Sequence, residues 1–192
     1  MKAIFKLTSV ALALGLTVPA MAVTTIGKAP SNGSIGNFGS PDTRTYGQVF
    51  TAPITGKITK FTFWLNGAVG TITGAVGTWN GGASYATGAG SPTLLAKTAE
   101  QASAIGANSF NLAGNEVAGQ RYVAYISTFG TSAAAGTTRM ALGTASPDLA
   151  HFVWNNTSNP DNNGSWNYFA NFGNARFAAT FGAVPEPATG RS

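Results

Sequence analysis

The residues best suited to hold a ligand are three aromatic side chains that stand beside amides. Trp166 and Tyr168 lie in Asn163-Gly-Ser-Trp-Asn-Tyr168, and Trp79 directly precedes Asn80. Sugars present apolar C–H faces ringed by hydroxyl groups, so a glycan site combines flat aromatic rings with neutral amide and hydroxyl partners. The pattern predicts glycan contact at Trp79, Trp166 and Tyr168, although aromatic residues also fill the cores of β-sandwiches.

Catalytic side chains are few. His151 is the sole histidine, so a two-histidine metal site is excluded, and its apolar neighbours are typical of a strand rather than a catalytic loop. No Gly-x-Ser-x-Gly nucleophile elbow occurs. Glycosidases pair two carboxyl groups about 5–10 Å apart, and each acid of the mature domain stands alone among neutral neighbours: Asp42, Glu100, Glu116, Asp148 and Asp161. We therefore predict a protein that is not an enzyme.

One loop has the oxygen-rich composition of a calcium site. Asn159-Pro-Asp-Asn-Asn-Gly164 clusters oxygen ligands and ends in a flexible glycine. It lacks the alternating acidic spacing and distal glutamate of an EF-hand, and Asn-Gly and Asp-Asn form turns equally well without metal. We predict neither a metal site nor a cofactor, and structural calcium stays open as an alternative.

The composition is that of a neutral, disulfide-free exported domain. Charged residues make up 9% and there is no cysteine, so the polar surface must come from Thr, Ser, Asn and Gly, and no thiolate chemistry or disulfide is available. The formal net charge is +5, but the basic residues are scattered along the chain. Because a nucleic-acid footprint is a clustered basic patch, we predict no nucleic-acid partner.

Short apolar runs separated by Gly, Asn and Pro predict an all-β fold. In Lys57 to Leu65, Phe61, Phe63 and Leu65 alternate with polar or amphipathic residues, which is the period of a strand. Asn66-Gly67 follows at once and predicts a tight hairpin turn. Trp64 and Trp154 fall within predicted strands and are expected to be structural.

Eight or nine such strands predict a single antiparallel β-sandwich, jelly-roll-like, over residues 46–182. Residues 23–45 are rich in Gly, Ser and Asn and are expected to form a loosely attached N-terminal arm. One segment, Lys97 to Ala107, has a helix-compatible composition but no apolar stripe of helical period.

The first residues have the composition of a secretory signal. Two lysines precede the apolar stretch Leu7 to Val18, and Ala20 and Ala22 form the small-x-small pattern that a signal peptidase cleaves after. The apolar stretch is shorter than the ~20 residues that a membrane helix requires. We predict a signal peptide over 1–22 and an exported mature chain.

The final residues, 183–192, contain two prolines that flank a glutamate. Val184-Pro-Glu-Pro-Ala-Thr189 is held extended by Pro185 and Pro187. With Glu186, these residues resemble the sorting signal of PEP-CTERM proteins, which are secreted bacterial proteins handled by a membrane-embedded exosortase. In that family the motif precedes a membrane helix and a basic cluster. Here Gly190-Arg-Ser192 follows instead, so no stable transmembrane anchor is expected in this chain.

The resemblance implies a protein of the cell surface or extracellular matrix of a Gram-negative bacterium. Its expected partners are signal peptidase, an exosortase-type sorting protease and extracellular polysaccharide. Together with the aromatic–amide pattern, this predicts a secreted, non-enzymatic β-sandwich that binds exopolysaccharide. Two alternatives stay open: a small secreted glycan-active hydrolase or lyase, and a self-assembling structural or adhesive protein, which weak charge repulsion would permit.

Overall fold

The computed structural model describes residues 23–27, 29–82, 90–144, 149–156, 159–161, 166–168 and 173–184. The predicted signal peptide with Ala20 and Ala22, and the sorting motif Pro185, Glu186 and Pro187, lie outside the described residues. So does most of the oxygen-rich loop Asn159 to Gly164, of which residues 159–161 are described. No helix long and apolar enough to cross a bilayer is found in the described ranges.

Fourteen β-strands form the regular structure of the described chain. They are β1 (Val23–Gly27), β2 (Pro30–Gly39), β3 (Thr45–Thr51), β4 (Gly56–Leu65), β5 (Thr71–Trp79), β6 (Pro92–Lys97), β7 (Gln101–Ala102), β8 (Gly106–Glu116), β9 (Arg121–Ser127), β10 (Thr137–Gly143), β11 (Leu149–Asn155), β12 (Asn167–Tyr168), β13 (Asn174–Ala175) and β14 (Phe177–Ala183).

The strands form two seven-stranded sheets. Sheet A has the order β1-β14-β4-β10-β13, with β2 beside β10 and β8 beside β4. Sheet B has the order β12-β11-β3-β9-β5-β6, with β7 beside β5. All strand pairs are antiparallel, and the inner faces of the sheets pack on each other. The predicted antiparallel β-sandwich is confirmed.

The core lies between the sheets and is rich in phenylalanine. Phe61 and Phe63 on β4 are fully buried, as their alternation predicted. Phe177 of β14 bridges the two sheets, with its ring 5.1 Å from that of Phe63 and 5.8 Å from that of Phe50 on β3. Burial of each such side chain stabilises the folded state by about 1.5–3 kcal/mol.

The central strand β9 of sheet B is buried on both faces. On β9, Tyr122, Ala124 and Ile126 belong to the core between the sheets, whereas Val123 and Tyr125 belong to a second cluster on the outer face. A strand covered on both sides reads as a continuous apolar run, and the sequence of β9 has this property. The run Tyr122-Val-Ala-Tyr-Ile126 by itself predicts burial on both faces, and the structure confirms it.

The predicted N-terminal arm is instead part of sheet A. β1 pairs with β14 over five residues, and β2 pairs with β10. Ile26, Ile35 and Phe38 enter the core, where they are 4%, 0% and 0% exposed. The prediction of a loose arm over residues 23–45 was wrong because the Gly, Ser and Asn residues lie on outward positions between these few inward apolar ones.

The predicted hairpin at Asn66-Gly67 is also wrong. β4 belongs to sheet A and β5 to sheet B, so the intervening loop crosses between the sheets. Its Val69 is fully buried in the core, and the glycine with positive φ is Gly70 at 80°, where a type I′ turn would need it at Gly67. Burial of the valine stabilises the crossing.

Lys97 to Ala107 is not helical. The backbone N–H of Thr98 donates to the carbonyl of Gly74, and the Thr98 hydroxyl accepts from the N–H of Gly74. The following residues form β7 and the start of β8. Pairing with β5 satisfies these backbone groups, and a helix here would have had no apolar face to bury.

Candidate functional site

The three predicted glycan-contact residues converge on the outer face of sheet B. The rings of Trp79 and Trp166 meet edge-to-face at 6.3 Å. The His151 ring centroid lies 6.2 Å from that of Trp79 and 6.3 Å from that of Tyr168. His151 therefore lies between the tryptophan pair and Tyr168. The grouping arises because β5, β11 and β12 belong to the same sheet and present these side chains to the same side.

Two of these aromatic rings are covered. Trp166 is 1% exposed and packs edge-to-face on Tyr125 at 5.2 Å, and Trp79 is 6% exposed. Gly47 beneath them leaves the necessary space, since a Cβ there would lie 3.1 Å from Cζ3 of Trp166. A buried ring has no free face for a sugar, so the prediction that Trp79 and Trp166 form a binding platform was wrong. Tyr168 is half-exposed, and its role stays a prediction.

Asp161 fastens the described residues 159–161 to this aromatic cluster through Tyr125. One carboxylate oxygen accepts from the Tyr125 hydroxyl at 2.8 Å, and the other pairs with Nζ of Lys97 at 2.6 Å. Burial, together with the nearby Asp161 charge, holds the pKa of Tyr125 far above its usual value. Both oxygens of this residue of the oxygen-rich loop therefore bind protein donors, and no cluster of three metal-ligating acids or histidines occurs among the described residues.

Replacing Asp161 by asparagine is expected to lower the free energy of unfolding by about 1–2 kcal/mol. The variant loses a charge-assisted hydrogen bond from Tyr125 and the ion pair with Lys97. Lys97→Gln is the matched control and should cost less than about 1 kcal/mol, because the lysine is one-third exposed and such pairs are weak. Urea unfolding followed by tryptophan fluorescence measures both, and equal losses would contradict the fastening role.

Three of the described acids are each held by a different set of protein donors. Glu100 accepts from the N–H and hydroxyl of Ser132, and these hydrogen bonds hold the pKa of Glu100 below its usual value. Asp42 accepts from the amide of Asn37, and Asp161 is engaged with Lys97 and Tyr125. No carboxylate–carboxylate contact is therefore present in the described part of the chain, and Asp148 lies outside it.

The outer face of sheet A is a broad array of small polar side chains, which we call the β4 face. Its strands β1, β14, β4 and β8 pair outward residues in three rows: Gly27–Ala178–Thr62–Ser109, Thr25–Thr180–Lys60–Asn111 and Val23–Gly182–Lys57–Asn115. The hydroxyls of Thr62 and Ser109 are hydrogen-bonded at 2.7 Å. Hydroxyl and amide groups thus line the surface, and few side chains are large.

Trp64 is the one aromatic residue of β4 that points outward. It is half-buried, stands beside Ala107 of β8, and packs under the guanidinium of Arg176, whose Cζ lies 4.4 Å from the indole centroid. Such a cation–π contact is worth about 0.5–2 kcal/mol and fixes both groups. Sequence reasoning assigned Trp64 a structural role, although its alternation with Phe63 and Leu65 already placed it on the outer face.

The β4 face is positively charged. Lys57, Lys60, Arg139 and Arg176 lie on sheet A, facing outward, and none has an acidic partner among the described residues. Glu116, the one acid in the strands of sheet A, points into the core and is 2% exposed. Residues that are scattered in the sequence are thus collected by strand pairing.

The chain was compared with known proteins by family and by individual sequence. No protein-family model matches it, and no curated protein matches it either.

Proposed function

We propose that the chain is an exported, non-enzymatic protein of the bacterial cell surface or extracellular matrix, and that it binds polysaccharide on the β4 face. The observation that carries this is the half-buried indole of Trp64, set among outward hydroxyl and amide side chains. The signal-like segment 1–22 and the Pro185-Glu186-Pro187 motif support export and exosortase sorting.

The chemistry of the β4 face suits sugar chains. The part of the Trp64 indole that Arg176 does not cover offers apolar surface to a pyranose, and neighbouring Ser, Thr and Asn side chains offer both donors and acceptors to its hydroxyls. From Trp64 to Lys57 the strand covers seven residues, or about 23 Å at ~3.3 Å each. A surface of this length accommodates several consecutive sugar units, which is appropriate for a polymer.

Trp64→Leu is expected to weaken polysaccharide binding by the full chain about tenfold or more, because leucine keeps apolar volume and removes the flat ring. Tyr168→Leu is the matched control on the opposite sheet and should leave binding unchanged. Affinity electrophoresis through gels containing soluble exopolysaccharide measures retardation, and thermal melting checks that both variants are folded.

Three results would count against the proposal. Loss of retardation in Tyr168→Leu alone would move the site to sheet B. Unretarded migration of the unsubstituted chain in every gel would contradict polysaccharide binding altogether. Release of reducing ends from the polymer during incubation would favour the glycan-active hydrolase instead.

Self-assembly is a second candidate, favoured by the edge of sheet B. β6 pairs only with β5 in the described chain, and its consecutive Leu94 and Leu95 are 37% and 40% exposed. Exposed apolar edge strands add strands from other molecules. Light scattering that rises with concentration would support an adhesive or structural protein over a monomeric binding protein.

A further inference from the structure

We infer that the polymer bound by the β4 face is acidic, and that Arg176, Lys60 and Lys57 bind its carboxylate groups. The inference rests on the proposed function and names the substrate class. The first supporting observation is the location of the described positive charges that lack an acidic partner.

Two of the three described basic residues away from the β4 face have a polar partner, and the third packs on an aromatic ring. Lys97 is paired with Asp161, Arg121 donates to the carbonyl of Gly81 at 3.2 Å, and Arg44 lies over the ring of Phe129 at 5.9 Å. The remaining described basic residues are the four on sheet A. Unpaired cations on one face, without an outward acid in its strands, attract a polyanion and raise its association rate.

Arg176 is the most specific of these cations. Its Nε is buried and has no hydrogen-bond acceptor, and no described residue accepts from the rest of its guanidinium. Contact with Trp64 holds the group in place, so little side-chain entropy remains to be lost on binding. A guanidinium presents parallel N–H donors that match the two oxygens of a carboxylate. A uronic acid seated beside the indole would accept hydrogen bonds from the terminal guanidinium nitrogens, since the buried Nε is closed to a ligand as it is to water.

Lys60 and Lys57 continue this line of charge along β4. Lys60 is four residues from Trp64, about 13 Å away, and Lys57 is about 23 Å away at ~3.3 Å per residue. Both are exposed and stand between neutral Thr, Gly and Asn neighbours. Cations repeated along the strand fit a polymer that carries charges at intervals along its length better than a single anionic ligand.

The test compares a polyuronate with a neutral polymer. The full chain is run by affinity electrophoresis in gels that contain either sodium alginate or dextran, at low and at high NaCl concentration. We expect retardation by alginate that falls as salt rises, because screening weakens exposed charge pairs. The double variant Lys57→Gln/Lys60→Gln should bind alginate at least about tenfold more weakly, while Lys97→Gln, which removes one charge from the opposite sheet, should not change it.

Arg176→Lys adds a second readout, since it keeps the charge and removes the two-donor geometry. It should weaken alginate binding at unchanged net charge, and thermal melting verifies its fold. The lysine variants are exposed, so the test stands even where the arginine variant is unstable.

The outcomes separate the inference from the function on which it rests. Equal retardation by dextran and alginate, unchanged in the lysine variants, would overturn the acidic assignment and leave polysaccharide binding intact. Absence of retardation by both polymers would overturn both. Equal binding to DNA or to phosphatidylglycerol vesicles would show a general polyanion surface and would also overturn the assignment.

Discussion

Replacing Trp166 by alanine is expected to lower the free energy of unfolding by about 3–5 kcal/mol, the usual cost of removing a large buried aromatic side chain. The indole is 1% exposed and packs against Tyr125 and Trp79. The space beside Gly47 that receives it cannot be refilled by small backbone movements, because β3 is held between β9 and β11. Urea unfolding at neutral pH, followed by circular dichroism, gives the value.

Tyr168→Ala is the control for this change. Tyr168 is half-exposed and belongs to the margin of the same cluster, so its loss should cost about 1 kcal/mol, as typical substitutions do. Similar losses for the two variants, or a loss below about 1 kcal/mol for Trp166→Ala, would mean that the outer cluster is open in solution. A glycan platform at Trp166 would then return as the better interpretation.

The sequence correctly predicted those parts of the fold in which a local residue pattern determines which side chains face the core. Alternation in β4 correctly placed Phe61 and Phe63 inward, because a strand turns successive side chains to opposite sides. The continuous apolar run of β9 correctly indicated burial on both faces. Such patterns depend only on local geometry and on whether water is excluded, so no partner strand needs to be known.

Strand pairing was the part that sequence patterns did not reveal. Asn66-Gly67 is a strong local turn signal, but burial of Val69 and the separation of β4 and β5 into different sheets outweighed it. Residues 23–39 looked like a linker because their few core residues are diluted by glycine and serine. In both cases long-range contacts, which no local pattern encodes, determined the structure.

In the candidate site, too, local patterns predicted one part and long-range contacts determined the rest. Trp79, Trp166 and Tyr168 were selected for being aromatic beside an amide, and they do come together, yet the sequence could not show that the two tryptophans are buried. Trp64 was passed over because a tryptophan within a strand is usually in the core. Its contact with Arg176 joins residues more than a hundred positions apart, and only the pairing of β14 with β4 brings them together.

The buried carboxyl group of Glu116 is expected to make the protein less stable as the pH rises. Both oxygens are buried without a hydrogen-bond partner, at the end of β8. Burial alone raises the pKa of Glu116 from 4.5 to about 8 in the folded chain. The folded state therefore holds a proton that the unfolded state releases above pH 4.5, so the free energy of unfolding is greatest below that pH and declines until about pH 8.

Glu116→Gln removes the titrating carboxyl group. The free energy of unfolding should therefore differ less between acid and alkaline pH. Each pH unit within the interval changes stability by about 1.4 kcal/mol, so the total loss in the unsubstituted chain is roughly 3–5 kcal/mol. The amide, itself buried without a partner, costs about 1–3 kcal/mol at every pH. The variant should therefore be the less stable protein at pH 5 and equal or exceed the unsubstituted chain at pH 8.5, as measured by urea midpoints. Other titrating groups cancel in this comparison, and parallel pH profiles for the two proteins would show that the carboxyl reaches water or a hydrogen-bond donor in solution.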